Sequence, residues 1–247
     1  MLRHYVVFVH GVGEQTPLNP TAFFARIRRA CERELARLGV RGRIRRFLIG
    51  HMGDVVAYAK LPYPPDKYGE IHERFAQSLA RASHAVEQAG SPSADLTVIA
   101  HSLGTVIASD GIYTLQKTGA FPANLRLANV FTFGSPIALF GLRYGLERFT
   151  KPIRPKVWIN FSYPQDIIGY HLKPLNPAYA EAVTDEVLLL PGESATPLVS
   201  LIRMFTARLP GVGAMLSHAW YFADPHVIGR IAQTLAGSLT ETPCKSA

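Results

Sequence analysis

The stretch from Asp95 to Thr105 combines a reactive side chain with surroundings that would expose it. Apolar and β-branched residues at 96–99 predict a buried parallel strand, and residues 105–116 predict a helix. Between them, Ser102 lies in an Ala-His-Ser-Leu-Gly sequence, in which small residues flank a sharp turn that exposes the hydroxyl at the carboxyl end of the sheet. We therefore predict that Ser102 is a nucleophile; the alternative is an ordinary helix cap.

A serine hydroxyl needs a base to take its proton and a carboxylate to orient that base. In nucleophile turns of this kind, the acid and then the base follow the serine along the chain. Asp166 comes just after a predicted strand, 157–161, at the carboxyl end where ligands converge. Asp185 precedes its predicted strand and so belongs at the opposite edge, while Asp224 begins a predicted helix as a cap. We predict Asp166 as the acid; its alternative role is that of a turn residue.

Three histidines, His171, His218 and His226, follow the predicted acid and are candidates for the base. His218 lies in a loop between the last predicted strand and the closing helix, which suits the third member of such a triad. His171 follows Asp166 too closely to reach across the site, and His226 lies in the first turn of the helix. We predict His218 as the base.

Two backbone N–H groups are candidates to stabilise the oxyanion that forms when a hydroxyl attacks a carbonyl. One belongs to Leu103, directly after the nucleophile. The other belongs to Val12, because the His-Gly-Val-Gly sequence at 10–13 lets the loop after the first strand approach closely. A phosphate-binding loop is excluded there, since no Gly-Lys-Ser/Thr follows the glycines.

The rest of the chain alternates strands with helices, which predicts a mainly parallel sheet covered by helices on both faces, an α/β fold. Further strands are predicted at 5–9, 44–49, 129–133 and 186–190, and further helices at 20–38, 68–88 and 225–236, with a long loop at 162–179. We expect one domain over residues 1–237 and a flexible tail at 238–247. Segments 137–150 and 198–215 are candidate lid or pocket walls.

Composition narrows the class of protein. The 247 residues are 48% hydrophobic and 18% charged, enough for one α/β domain. The two cysteines, Cys31 and Cys244, form no disulfide framework and no metal-ligand spacing, so we expect neither metal nor cofactor. The sequence shows no secretory signal pattern and no apolar run long enough for a membrane span, which predicts a cytoplasmic protein.

The net charge of +8 is concentrated near the N-terminus. Residues 1–50 hold ten Arg and three Glu, a charge of +7, which leaves +1 for the rest. We interpret this as a solvated helix face and a basic loop. The alternative is peripheral contact with an anionic membrane; we expect no nucleic acid partner.

Several of these sequences together resemble a known family. The chain resembles the α/β-hydrolase superfamily of lipases and esterases and, more narrowly, the hydrolase core of the DDHD-type intracellular phospholipases. The resemblance is carried by Val-His-Gly-Val-Gly-Glu-Gln at 9–15, Ala-His-Ser-Leu-Gly at 100–104, Phe-Gly-Ser-Pro-Ile-Ala-Leu-Phe at 133–140, Tyr-Pro-Gln-Asp-Ile-Ile-Gly-Tyr-His-Leu-Lys-Pro-Leu at 163–175 and Ser-His-Ala-Trp-Tyr-Phe at 217–222. It implies an α/β-hydrolase fold with Ser102 as nucleophile, Asp166 as acid and His218 as base.

The residues and the resemblance together predict a serine hydrolase that cleaves carboxylic esters, of a small molecule or a lipid, through an acyl-enzyme. A thioesterase or acyltransferase with the same triad is one alternative. The other is a non-catalytic module that binds membrane surfaces through the N-terminal arginines.

Overall fold

Six parallel strands form one sheet in the part of the chain that the computed structural model describes, which is residues 4–10, 29, 45–49, 67–144, 152–189, 217–218 and 220–240. The strands are β1 His4–His10, β2 Arg45–Ile49, β3 Ala94–His101, β4 Leu125–Phe133, β5 Val157–Ser162 and β6 Thr184–Val187, in the order β2-β1-β3-β4-β5-β6. The helices in these ranges are α1 Lys67–Gln88, α2 Leu103–Lys117, α3 Ile137–Tyr144, α4 Pro177–Ala182 and α5 Pro225–Thr240, with a 3-10 turn at Lys173–Leu175.

Strand β3 shows how the sheet is covered on both faces. Its alternate residues Leu96, Val98 and Ala100 pack in one core cluster with the apolar faces of α1 and α2. Ile99 points the other way, into a cluster with β4, β5 and α5. Because successive side chains of a strand point to opposite faces, the continuous apolar run of β3 serves two helical layers at once. The predicted α/β fold, with a parallel sheet between helices, is confirmed.

Helix α1 packs against α2 at a place without room for a side chain. The buried apolar residues of α1 are spaced by three and four along one face; they are Ile71, Phe75, Leu79, Ala82 and Val86. Phe75 lies against Gly111 of α2, where an added Cβ would come within 2.7 Å of the ring. The glycine therefore sets how closely the two helices approach.

Several element boundaries differ from the sequence prediction; the strand predicted at 129–133, for example, begins at Leu125. The predicted loop at 162–179 contains the 3-10 turn and the start of α4, where Asn176 accepts a hydrogen bond from the Tyr179 N–H and Pro177 occupies the first turn. The last strand, β6, begins at Thr184 because it pairs with β5 as a half-exposed edge rather than as a buried apolar run. Helix α5 continues to Thr240, so the first three residues of the predicted tail are helical.

Several predictions lie outside the described residues. They concern most of the helix at 20–38, the segment 198–215, the second half of 137–150 and the tail beyond residue 240. The arginines at 41 and 43 also lie outside them, and one domain over 1–237 stays a prediction. None of the helices in the described ranges combines the length and the apolar character that crossing a bilayer requires.

The contact between Gly111 and Phe75 predicts opposite effects for two glycine-to-alanine changes in helices. Alanine normally stabilises a helix interior by about 0.5–1 kcal/mol over glycine. At Gly229 in α5 no described atom lies within 4 Å of an added Cβ, so Gly229→Ala should raise the free energy of unfolding by that amount. At Gly111 the added methyl group would overpack against Phe75, so Gly111→Ala should instead lower the free energy of unfolding, by about 1–3 kcal/mol. Urea unfolding of both variants measures the difference; equal stabilisation would show that the contact is loose.

Candidate active site

The turn between β3 and α2 holds Ser102 in a backbone conformation that is rare for a residue with a side chain. Its φ is 56° and its ψ is −135°. Such strained angles persist only where neighbouring structure holds them. The Ser102 N–H donates to the Phe133 carbonyl at 3.0 Å, and the Thr105 hydroxyl donates to the Ser102 carbonyl at 2.8 Å. The turn is therefore held both from β4 and from its own helix.

The Ser102 side chain does not cap α2 within the described structure, so the helix-cap alternative does not describe it. Its Oγ lies instead 2.9 Å from His218 Nε2. His218 Nδ1 in turn lies 2.9 Å from Asp166 Oδ2. The fold thus brings together the three side chains that the sequence singled out, although 116 residues separate the serine from the histidine.

The two hydrogen bonds of His218 determine where its proton lies. An ionised carboxylate can only accept, so Nδ1 carries the hydrogen that it donates to Asp166. Nε2 is then left with a lone pair, which accepts the hydrogen of the Ser102 hydroxyl. The imidazole is 20% exposed, whereas the Asp166 side chain is fully buried. The base is therefore partly accessible, whereas Ser102 and the acid are buried.

The carboxylate of Asp166 is surrounded by donors. The Ile168 N–H donates to Oδ1 at 3.1 Å, and the Tyr221 hydroxyl donates to Oδ2 at 2.9 Å. Burial by itself raises the pKa of Asp166, but the hydrogen bond and charge of His218, the Ile168 N–H and the Tyr221 hydroxyl outweigh it. The pKa of Asp166 therefore lies below its ordinary value, and the side chain is ionised at neutral pH.

Two glycines let the backbone pass close to this pair. Gly134, which follows β4 with a φ of +58°, would place a Cβ 2.8 Å from His218 Cε1 and 3.2 Å from Asp166 Oδ2. Gly169 would place one 2.5 Å from the same oxygen. Sequence reasoning assigned no role to either residue. The Gly-Ser-Pro sequence after a buried strand was the available signal for Gly134.

Tyr221 and Tyr163 form a polar pair behind Asp166. Neither tyrosine was assigned a role from the sequence. The Tyr163 N–H donates to the Tyr221 oxygen at 3.0 Å, and the Tyr163 hydroxyl donates to the carboxylate of Asp224. Burial, with nearby carboxylates adding to it, raises the pKa of both tyrosines well above the ordinary value, so both keep their protons. In the sequence analysis they appear only within the segments at 163–175 and 217–222 that carry the resemblance.

His101, directly before the nucleophile, was also missed. It is buried, and its ring lies 4.6 Å from the ring of His218 between centroids. Its Nε2 is 2.9 Å from the His218 carbonyl oxygen. Because a carbonyl can only accept, Nε2 carries a hydrogen and donates it. His101 thus ties the backbone of the candidate base to the nucleophile turn.

The two other acids considered as alternatives to Asp166, Asp185 and Asp224, have structural roles. Asp185 lies within β6 rather than before it, so the predicted position was wrong in that detail. It accepts hydrogen bonds from Asn160 Nδ2 at 2.7 Å and from the backbone N–H groups of Leu172 and Lys173 at 3.0 and 2.9 Å. Asp224 Oδ1 accepts the His226 N–H at 2.7 Å and so caps α5, as its alternative interpretation predicted.

The rival bases lie away from the serine. His171 is exposed. His226 is 60% exposed in its side chain and pairs with Glu186 at 2.8 Å. Neither histidine shares a hydrogen bond with Ser102 or Asp166 among the contacts that the described residues make.

One of the two predicted oxyanion donors can be placed. Leu103 is the first residue of α2, and N–H groups of a first helical turn have no acceptor within the helix. Its N–H therefore belongs to the same turn as the Ser102 hydroxyl. Val12 lies outside the described residues, and its role stays a prediction.

Remote structural likenesses accompany this geometry. No family model matches the chain, and no curated protein matches it in sequence. A fungal esterase from Rhizomucor miehei is similar in structure, with 11% identity, a TM-score of 0.48 and coverage of 89% of this chain and 76% of the esterase. A protein from Pectobacterium atrosepticum described as a YdeN-like hydrolase has 14% identity, a TM-score of 0.39 and coverage of 75% and 77%. At this distance neither likeness carries an activity over to this chain.

Replacing Asp166 with Asn should make stability less sensitive to acid. The folded-state pKa of Asp166 lies below its unfolded value of about 3.9, so its contribution to the free energy of unfolding is present above that pH. The contribution is lost as the pH falls through the folded-state pKa. Asp166→Asn should cost about 1–3 kcal/mol at pH 7, because it weakens a buried hydrogen-bond network. In urea unfolding, the free energy of unfolding should fall more between pH 7 and pH 3 in wild type than in Asp166→Asn. An equal fall in both would contradict the lowered pKa of Asp166.

Proposed function

We propose that the chain is a serine hydrolase that cleaves carboxylic esters through a covalent acyl-enzyme. The observation that carries the proposal is the unbroken series of hydrogen bonds from Ser102 through His218 to Asp166, each 2.9 Å long. Three further features support it: the strained turn of Ser102, the complete burial of the acid and the partial exposure of the base. This combination is what activation of a hydroxyl requires.

The geometry gives each residue a step in the reaction. His218 Nε2 takes the proton of Ser102 as Oγ bonds to the ester carbonyl carbon, and the carbonyl oxygen gains the negative charge. The Leu103 N–H donates to that oxygen. Asp166 stabilises the imidazolium, which then gives its proton to the departing alkoxide. Water, deprotonated by His218, attacks the acyl-enzyme; the bond to Ser102 Oγ breaks, His218 returns its proton to that oxygen, and the carboxylic acid leaves.

The class of ester rests on the sequence resemblance to lipases and esterases rather than on a described pocket. The narrower resemblance to DDHD-type phospholipases supports including phospholipids among the candidate substrates. The same three residues would also serve a thioester or pass the acyl group to an alcohol. Product analysis with water and with an added alcohol separates hydrolysis from transfer.

The proposal predicts that Ser102 and His218 are both essential for turnover. Ser102→Ala should lower the rate of p-nitrophenyl ester hydrolysis by about 10⁴-fold or more and abolish labelling by a fluorophosphonate probe. His218→Gln should cause a loss of similar size, because the hydroxyl would keep its proton.

His226→Gln is the matched control for the base. His226 is exposed and pairs with Glu186, so its loss should leave the rate within about twofold of wild type. Purified wild type, both histidine variants and Ser102→Ala would be assayed on acetyl, butyryl and octanoyl esters after their folding is checked by circular dichroism. Activity that survives Ser102→Ala, or an equal loss in both histidine variants, would rule out the proposed roles.

A further inference from the structure

The Tyr221 hydroxyl donates to the same oxygen of Asp166 that binds the candidate base. Tyr221 Oη and His218 Nδ1 each lie 2.9 Å from Asp166 Oδ2. The direction of the tyrosine hydrogen bond is settled by its other partner, because the Tyr163 N–H donates to the phenolic oxygen at 3.0 Å. The single phenolic hydrogen is therefore free for the carboxylate.

We propose that Tyr221 is a positioning residue that shares Asp166 Oδ2 with His218 and limits how strongly the acid stabilises the imidazolium. The inference rests on the proposed hydrolase function and deepens it. A carboxylate oxygen that accepts two donors divides its negative charge between them, so each hydrogen bond is weaker than it would be alone.

The chain places both donors by local geometry. His218 lies in a short helical stretch and Tyr221 in the turn three residues later, just before α5 begins at Pro225. Both then reach one oxygen of an acid that lies 52 residues from the histidine and 55 from the tyrosine.

The carboxylate should stay in place when the hydroxyl is removed. Its other oxygen is held by the Ile168 N–H at 3.1 Å. The backbones at Gly134 and Gly169 pass so close that an added Cβ would lie 3.2 Å and 2.5 Å from Oδ2. The loss of the hydroxyl therefore changes the charge available to His218 more than it changes the distance between the two side chains.

Two further polar side chains of the described residues, His101 and Tyr163, lie against this cluster. His101, at the end of β3, packs its ring 4.6 Å from that of His218 and 6.1 Å from that of Tyr221. Tyr163, directly after β5, packs against Tyr221 with 4.8 Å between ring centroids, and its hydroxyl donates a hydrogen bond to Asp224. A Tyr221→Phe change leaves all of these side chains in place.

The effect of the hydroxyl has a definite sign. Without it, His218 is the one side chain among the described residues that still donates to Asp166 Oδ2. The imidazolium is then better stabilised, so His218 holds its proton to a higher pH. The acidic limb of the pH profile of kcat/KM should therefore move to higher pH in Tyr221→Phe, by about half a pH unit or more. A purely structural loss would lower the rate without moving the limb.

Tyr163→Phe is the matched control, since it removes a hydroxyl of similar burial that contacts Asp224 instead of Asp166. The acidic limb of the pH profile of Tyr163→Phe should coincide with that of wild type. The inference is wrong if the limb of Tyr221→Phe stays in place or moves to lower pH, or if Tyr163→Phe shifts it equally.

A titration that needs no turnover separates this inference from the proposed function. The His218 ring would be followed by nuclear magnetic resonance in Ser102→Ala, with and without Tyr221→Phe; its titration midpoint should rise with the second change. A wild-type chain that hydrolyses no ester and takes no fluorophosphonate label would end the hydrolase proposal alone. If the chain is active but the titration midpoint of His218 does not change with Tyr221→Phe, the inference about Tyr221 is wrong and the hydrolase proposal stands.

A second route covers the case in which Tyr221→Phe does not fold. Biosynthetic replacement of tyrosine by 3-fluorotyrosine makes the phenol a stronger donor while keeping its shape. The acidic limb should then move to lower pH in the active protein, and a limb that stays in place would overturn the inference.

Discussion

The buried carboxylate of Asp166 is the group on which the arrangement of the site depends. An ionised carboxylate without water is very costly unless donors surround it. The chain supplies them from two places: Ile168 from the loop after β5, and His218 and Tyr221 from the residues just before α5. Stabilising the acid and orienting the base are thus the same set of contacts.

The nucleophile turn is joined to this group through the sheet. Strands β3, β4 and β5 are neighbours, so their carboxyl ends lie side by side. The Ser102 N–H bonds to the last residue of β4, and His101 at the end of β3 bonds to the His218 carbonyl. These two hydrogen bonds link the serine and the histidine through backbone groups as well as through their side chains, which favours a preformed geometry.

Much of the site could be predicted because its signals are local. Ser102 was found from a strand, a small-residue turn and a helix that follow one another directly, and Asp166 from its place at the end of a strand. Asp224 was interpreted correctly as a cap for the same reason. Asn176 and Pro177 carried an equally local helix-start signal that was overlooked, so that miss came from the interpretation rather than from the residues.

What the sequence by itself determined is the set of candidate residues and the elements that carry them, because turns, caps and apolar periods depend on near neighbours. Only the tertiary structure decided that Asp185 anchors the Leu172 backbone, that Gly134 must lack a side chain, and that Tyr221 reaches the acid. Each of these depends on distances of about 3 Å between segments far apart in the chain. Such distances follow from strand order and packing, which no local pattern contains.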